Sequence, residues 1–177
     1  TFAYALTRSA MPGRAVFRVV GLTPILAPSL LAAISFIQWF GNQGLLKPLL
    51  GGTPVYGALG IVISSIYATF PHALMIILTA LLLADGRLYE AAESLGTRTL
   101  RRFFTITLPG AKYGLVSAAM VVFSYTVSDF GIPKVIGGNF NVLATDVFKL
   151  VIGQQDFQRG AVVALLLLLP AVLTFAV

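Results

Sequence analysis

Apolar positions in this chain fall in long unbroken runs instead of alternating with polar ones. No charged side chain occurs between Arg18 and Lys47, nor between Lys47 and Asp85. Each stretch exceeds the roughly 20 residues that a helix needs to cross about 30 Å of hydrocarbon. The pattern predicts membrane spans over residues 19–40, 57–84, 111–131 and 160–177. They are joined by a Gly-, Pro-, Asn- and Gln-bearing loop at 41–56, a charged island at 85–110 and a mixed segment at 132–159. In that last segment Gly137-Gly138-Asn139 predicts a turn. Val142, Val147, Leu150 and Val151 recur at helical spacing, with Asp146, Lys149 and Gln154 elsewhere around the axis. Two readings fit: a helix in the membrane interface, or one packed against the neighbouring spans. With no internal repeat or flexible linker, residues 1–177 are expected to be one membrane domain or part of one, all-α and polytopic.

Composition agrees with the pattern. Of 177 residues 58% are hydrophobic and 10% charged, with a mean hydropathy of +0.92, whereas soluble domains carry about 25% charged residues. The absence of cysteine rules out disulfides and thiolate metal sites in this chain, and the lone His72 cannot build a metal cage by itself. A net charge of +6 raises nucleic acid as a partner. The basic residues stand instead at the ends of apolar runs, where membrane orientation demands them, and this argues against nucleic-acid binding. Arg8, Arg14 and Arg18 precede the first run, and Arg87, Arg98, Arg101, Arg102 and Lys112 crowd the island, while the 41–56 loop holds only Lys47. Both rich segments are therefore expected on the cytoplasmic side. The 132–159 loop is expected outside, although Lys134, Lys149 and Arg159 weaken the bias. The chain opens at Thr1 without a signal-like start and ends at Val177 inside an apolar run, so it is expected to be a piece of something longer.

The island predicts compact local structure. Asp85 is placed to cap a helix on which Leu88, Ala92 and Leu95 share a face, with Arg87, Glu90 and Glu93 pointing elsewhere. Gly96 supplies a left-handed turn, and Thr97 is placed to cap a second short helix through residues 100–104. Pro109 belongs in the first turn of the next span, where its missing N–H costs nothing. Ile106 and Leu108 are expected to anchor the hairpin to the membrane helices. An element fixed at both ends transmits a push; a floppy loop does not.

Taken only as a connection, this is a well-formed loop between two spans. Glu90-Ala91-Ala92, three residues, Gly96, nine residues, and then Ile106-x-Leu108-Pro109 resembles the EAA signature of permease subunits of type I binding-protein-dependent ABC importers. The resemblance implies the transmembrane-domain fold of that class, in part. It also implies that the island is the coupling helix seated in a groove of a cytoplasmic ATPase dimer, which would carry the ATP and Mg. Glu90, Ala91, Ala92 and Gly96 would lie at that contact. Small Ala side chains would let the backbones approach, and Glu90 would pair with a cationic group. Such permeases are often two fused halves, each with its own EAA loop. A single loop here implies one half at most, partnered by a second half or subunit, a periplasmic or extracellular substrate-binding protein and the lipid of a bacterial cytoplasmic (inner) membrane. Residues 89–134, and more loosely 60–155, resemble permeases assigned to 2-aminoethylphosphonate uptake and their ferric-iron relatives. The match is strongest at Ser128-Asp129-Phe130-Gly131-Ile132-Pro133-Lys134 and Asn141-Val142-Leu143-Ala144-Thr145-Asp146.

Inside the spans ionisable groups are few. His72 directly follows Pro71 near the middle of the second run. It is a candidate for the translocation path, or else one of several polar neighbours, with Thr69 and Ser65, that satisfy the carbonyl of Tyr67 freed by the proline. Asp129 lies about 25 Å of helix beyond Lys112, near the outer interface. It fits either a pathway carboxylate with Ser124, Tyr125 and Ser128, or a solvated helix end beside Lys134. Gly110 and Gly114 form a small-xxx-small pair. No phosphate-cradling Gly-rich loop and no clustered nucleophile and base are present, so the chain is expected to be a permease without catalytic residues, driven by a partner. A proton-driven carrier or membrane enzyme would call for more intramembrane acids or histidines than His72 and Asp129.

Overall fold

The computed structural model describes residues 1–51 and 53–175. Every regular element among them is helical. In chain order these are α1 (Phe2–Arg8), α2 (Arg14–Leu22, tightening into a 3₁₀ turn over Thr23–Leu26), α3 (Ser29–Phe40) and α4 (Ala58–Leu83). There follow α5 (Arg87–Ser94), α6 (Thr99–Gly110), α7 (Lys112–Ser128), α8 (Gly131–Ile136), α9 (Leu143–Phe148) and α10 (Phe157–Phe175).

Two helices are long and apolar enough to cross a membrane unaided: α4, with 26 residues and a mean hydropathy of 2.0, and α10 over Phe157–Thr174, at 1.8. The run expected at 19–40 is not one helix. It breaks around Ala27-Pro28, because Pro28 has no N–H to continue the ladder and its ring disfavours helical backbone in the residue before it. Ala27 N–H closes instead on Pro24 O at 3.0 Å, and α3 starts afresh at Ser29. The run expected at 111–131 ends at Ser128, and at its other end the chain bends by 63° between α6 and α7. Each of these broken pairs passes the length and composition test only when its two helices are taken together, so the described residues hold two helices fit to span, or up to four spans if each bent pair is one. Ala176 and Val177, at the end of the run expected at 160–177, lie outside the described residues.

The chain divides into two compact units, Thr1–Thr23 with Pro71–Val121, and Pro24–Phe70 with Val122–Val177. In the first, α1 packs on the second half of α4 through Ala3, Leu6, Leu74, Leu78 and Leu81, and Ala111 closes the cluster. Gly114 of α7 sits so close to Ala80 that an added Cβ would overlap the Ala80 methyl, while at Gly110 the nearest neighbour, the Ala84 methyl, lies 4.0 Å away. The small-xxx-small pair therefore meets a second strip of small residues, the arrangement that lets helix backbones approach in lipid. In the second unit Ala33 of α3 packs with Ile132 and Ile136 of α8, joined by Val55 and Ile61. The segment after Gly138 is a packed helix and not one lying free in the interface: Val151 presses on Gly160 of α10, where no Cβ would fit. Exposed leucines run along α4 and α10, an apolar surface that suits lipid and would be a liability in water.

Candidate functional site

The charged island folds as a hairpin. Asp85 Oδ1 accepts the N–H of Arg87 at 2.9 Å and opens α5. At its other end Thr97 N–H donates to Ala92 O at 3.0 Å and Gly96 N–H to Glu93 O at 2.9 Å, around a Gly96 φ of +64°. This nested pair of bonds satisfies two carbonyls at the helix end and requires a left-handed residue, which glycine supplies without steric cost. Thr97 is thus spent closing α5 and does not cap the next helix. Extended Arg98 takes that position, and α6 starts at Thr99.

α6 then runs to Gly110 instead of stopping near Phe104. Over Phe103–Thr107 its turn widens, with Leu108 N–H reaching back five residues to Phe103 O. The cause follows two residues later: Pro109 has no N–H for the Thr105 carbonyl and its ring would strike that carbonyl in a regular turn. Pro109 therefore lies within the last turn of α6, and the apolar helix α7 begins only after the bend at Ala111.

The motif residues sit on one hairpin but play unequal parts. Glu90, Ala91 and Gly96 are exposed, whereas Ala92, at 8%, is the buried residue of α5. Leu88 (56% exposed) and Leu95 (82%), expected to share a face with Ala92, point outward where Ala92 is buried, and Leu100 (72%) is exposed too. Ile106 is half-buried, and Leu108 and Pro109 are exposed. The inward anchor is Thr107 at 3%, whose hydroxyl takes a hydrogen bond from Tyr89 Oη at 2.9 Å. Arg8 Nη2 donates to Leu81 O and Ala84 O at 3.1 and 3.2 Å, and its guanidinium lies 4.1 Å over the Tyr89 ring. Across the turn Arg102 Nη1 meets Glu93 Oε2 at 3.5 Å, and Tyr4 packs edge-on against Phe103. Arg8, Tyr89 and Thr107 were missed by sequence reasoning. Arg8 lies 73 and 76 residues from its acceptors, and no local spacing signals that.

The candidates within the apolar runs fall in different units. Half-buried His72 follows Pro71 in the first unit, and the hydroxyl of Thr69 donates to Ser65 O at 2.7 Å, not to the carbonyl of Tyr67. In the second unit Asp129 accepts Ser29 Oγ at 2.8 Å and the N–H groups of Gly131 and Ile132 at 3.2 Å each. Asp129 thus caps α8 and ties it to the start of α3, which differs from a solvated end beside Lys134. The Lys134 ammonium lies over the Phe148 ring instead. Ser128 and Tyr125 are exposed, and Ser124 shares a hydrogen bond with Thr174 at 2.9 Å.

Lipid-length apolar helices joined by a short polar hairpin define a helical membrane component. The chain belongs to the family described as binding-protein-dependent transport system inner membrane component, whose model matches residues 3–177. Its relatives include a ferric transport system permease protein FbpB of Actinobacillus pleuropneumoniae, 27% identical over 99% of this chain and 27% of that protein. A molybdenum transport system permease protein ModB of Azotobacter vinelandii is 33% identical over 76% of this chain and 61% of that protein. A spermidine/putrescine transport system permease protein PotC homolog of Mycoplasma genitalium is 29% identical over 84% and 50%. The chain spans 27% and 29% of the length of two ferric relatives that it matches.

Proposed function

We propose that this chain is part of the permease subunit of an ATP-binding-cassette importer, with the α5–α6 hairpin as the element that an ATPase dimer grips from the cytoplasm. The observation that carries the reading is the hairpin itself. It opens with Asp85 accepting the Arg87 N–H, is closed by the turn at Gly96, and exposes Glu90, Ala91, Leu88 and Leu95 away from its own core. Exposed apolar knobs beside a carboxylate on a short, well-ordered element suit a groove with a cationic rim. Glu90→Lys and Gly96→Pro in the full-length permease test it: both should abolish ATPase co-purification and uptake, and retention of both activities by both variants would remove the coupling role. This chain contains no cysteine; with any cysteine elsewhere in the full-length permease replaced, one introduced at Leu95 reports the side of the membrane by its labelling with an impermeant thiol reagent. Labelling from outside the cell overturns the assignment.

The cargo is a small ion or charged solute delivered by a substrate-binding protein. Ferric iron is favoured by relatives matching 99% of the chain, and 2-aminoethylphosphonate is supported by the motif resemblance around Ser128–Lys134. ATPase stimulation in the reconstituted complex, by binding proteins loaded with one or the other, decides between them.

A further inference from the structure

We propose that Arg8 is the positioning residue that fastens the hairpin to the membrane helices, so that α5, α6 and α7 move as one body; the inference rests on the hairpin being the element the ATPase grips. α5 is short and buries a single residue, Ala92, so apolar packing alone does not hold it. Its pair with α6, Glu93 to Arg102, joins a carboxylate that is 76% exposed, and such surface pairs contribute little. What ties α5 to the rest of its unit is polar. The last carbonyls of α4 have no intrahelical donors, and the Arg8 guanidinium supplies them, with one nitrogen bonding Leu81 O and Ala84 O. The flat face of the same group lies on the Tyr89 ring, and the Tyr89 hydroxyl bonds buried Thr107 in the widened turn of α6. Four segments of one compact unit are thus linked through this cation and Tyr89: α1, the end of α4 and α5 at the guanidinium, and α6 through the tyrosine hydroxyl. Among the described residues no carboxylate pairs with Arg8, so carbonyl dipoles and the aromatic face hold its charge. A lysine is a point charge without the planar fork, and it cannot bond two carbonyls in plane while stacking on a ring.

The test uses the full-length permease assembled with its ATPase in nanodiscs, with spin labels on cysteines at Ser94 of α5 and Val116 of α7, both exposed. In the unaltered background the interlabel distance should be the same without nucleotide and with trapped ATP, because both labels ride on one body. In Arg8→Met, and equally in Arg8→Lys, ATP should pull α5 alone and shift the distance on the order of 2–5 Å, the scale of helix shifts in switching proteins. Tyr89→Phe removes one hydroxyl without changing shape and should give the same nucleotide-dependent shift at smaller amplitude, as should Thr107→Val. The Tyr89→Phe/Thr107→Val double variant should be no worse than either single, since both break one bond. A distance that stays fixed in Arg8→Met while the ATPase remains bound overturns the proposal. Should Arg8→Met fail to assemble, a fixed distance in Tyr89→Phe overturns it equally. Failure of the ATPase to co-purify with the unaltered permease would instead strike the underlying reading of the hairpin.

Discussion

Asp129 shows how a single side chain changes meaning once its neighbours are known. A carboxylate at the end of an apolar run has the profile of a pathway residue, yet both of its oxygens are committed to Ser29, Gly131 and Ile132. Asp129→Ala should lower stability by about 1–3 kcal/mol, the cost of a lost cap and a stranded donor, and Ser29→Ala by less, read as thermal unfolding of the purified permease in detergent. A pathway residue would behave in the opposite way, with uptake lost at unchanged unfolding temperature. Sequence spacing could not have shown this, because Ser29 lies 100 residues away from Asp129. Thr107 escaped for a related reason. It stands between Ile106 and Leu108, which hydropathy marks as anchors, but the widened turn directs the hydroxyl inward and leaves Leu108 exposed.

At the scale of elements, what was legible is what is local. Gly96 was readable as a left-handed turn because the next few residues close it. The apolar run at 57–84 contains α4, and the run at 160–177 overlaps α10, which starts earlier, at Phe157, because span length is a count of consecutive residues. What failed depends on the backbone: Pro24 and Pro28 split an apolar run into α2 and α3, which hydropathy averaging does not register. Which side of α5 packs was not legible, because a short helix held at one residue need not turn its most apolar stripe toward its own chain. Close helix contact was present in the sequence only as a pair of glycines, and the structure adds the facing strip. Gly114→Leu should force α7 off α4 and cost about 1–3 kcal/mol through overpacking, seen as reduced yield and a lower unfolding temperature. Gly110→Ala, whose new methyl would meet only Ala84 at 4.0 Å, should be close to neutral in the same assay.

For the whole molecule, the proposed coupling role would place stability and partner binding on separate surfaces, the packed apolar helices and the outward leucines of the hairpin. Leu95→Asp should therefore weaken ATPase association at least tenfold, about 1.4 kcal/mol, without moving the unfolding temperature, because Leu95 is 82% exposed. Pull-down from detergent extract alongside a thermal scan separates the two quantities.

The five-residue turn at Phe103–Thr107 also sets an azimuth. Each residue of α-helix advances its neighbours by about 100° around the axis, so one extra residue in a single turn acts as a phase offset between everything before it and everything after it. Pro109→Ala would return the missing N–H, allow regular winding over Phe103–Thr107 and rotate the outward leucines of α5 relative to α7, leaving a well-formed helix aimed at the wrong quarter.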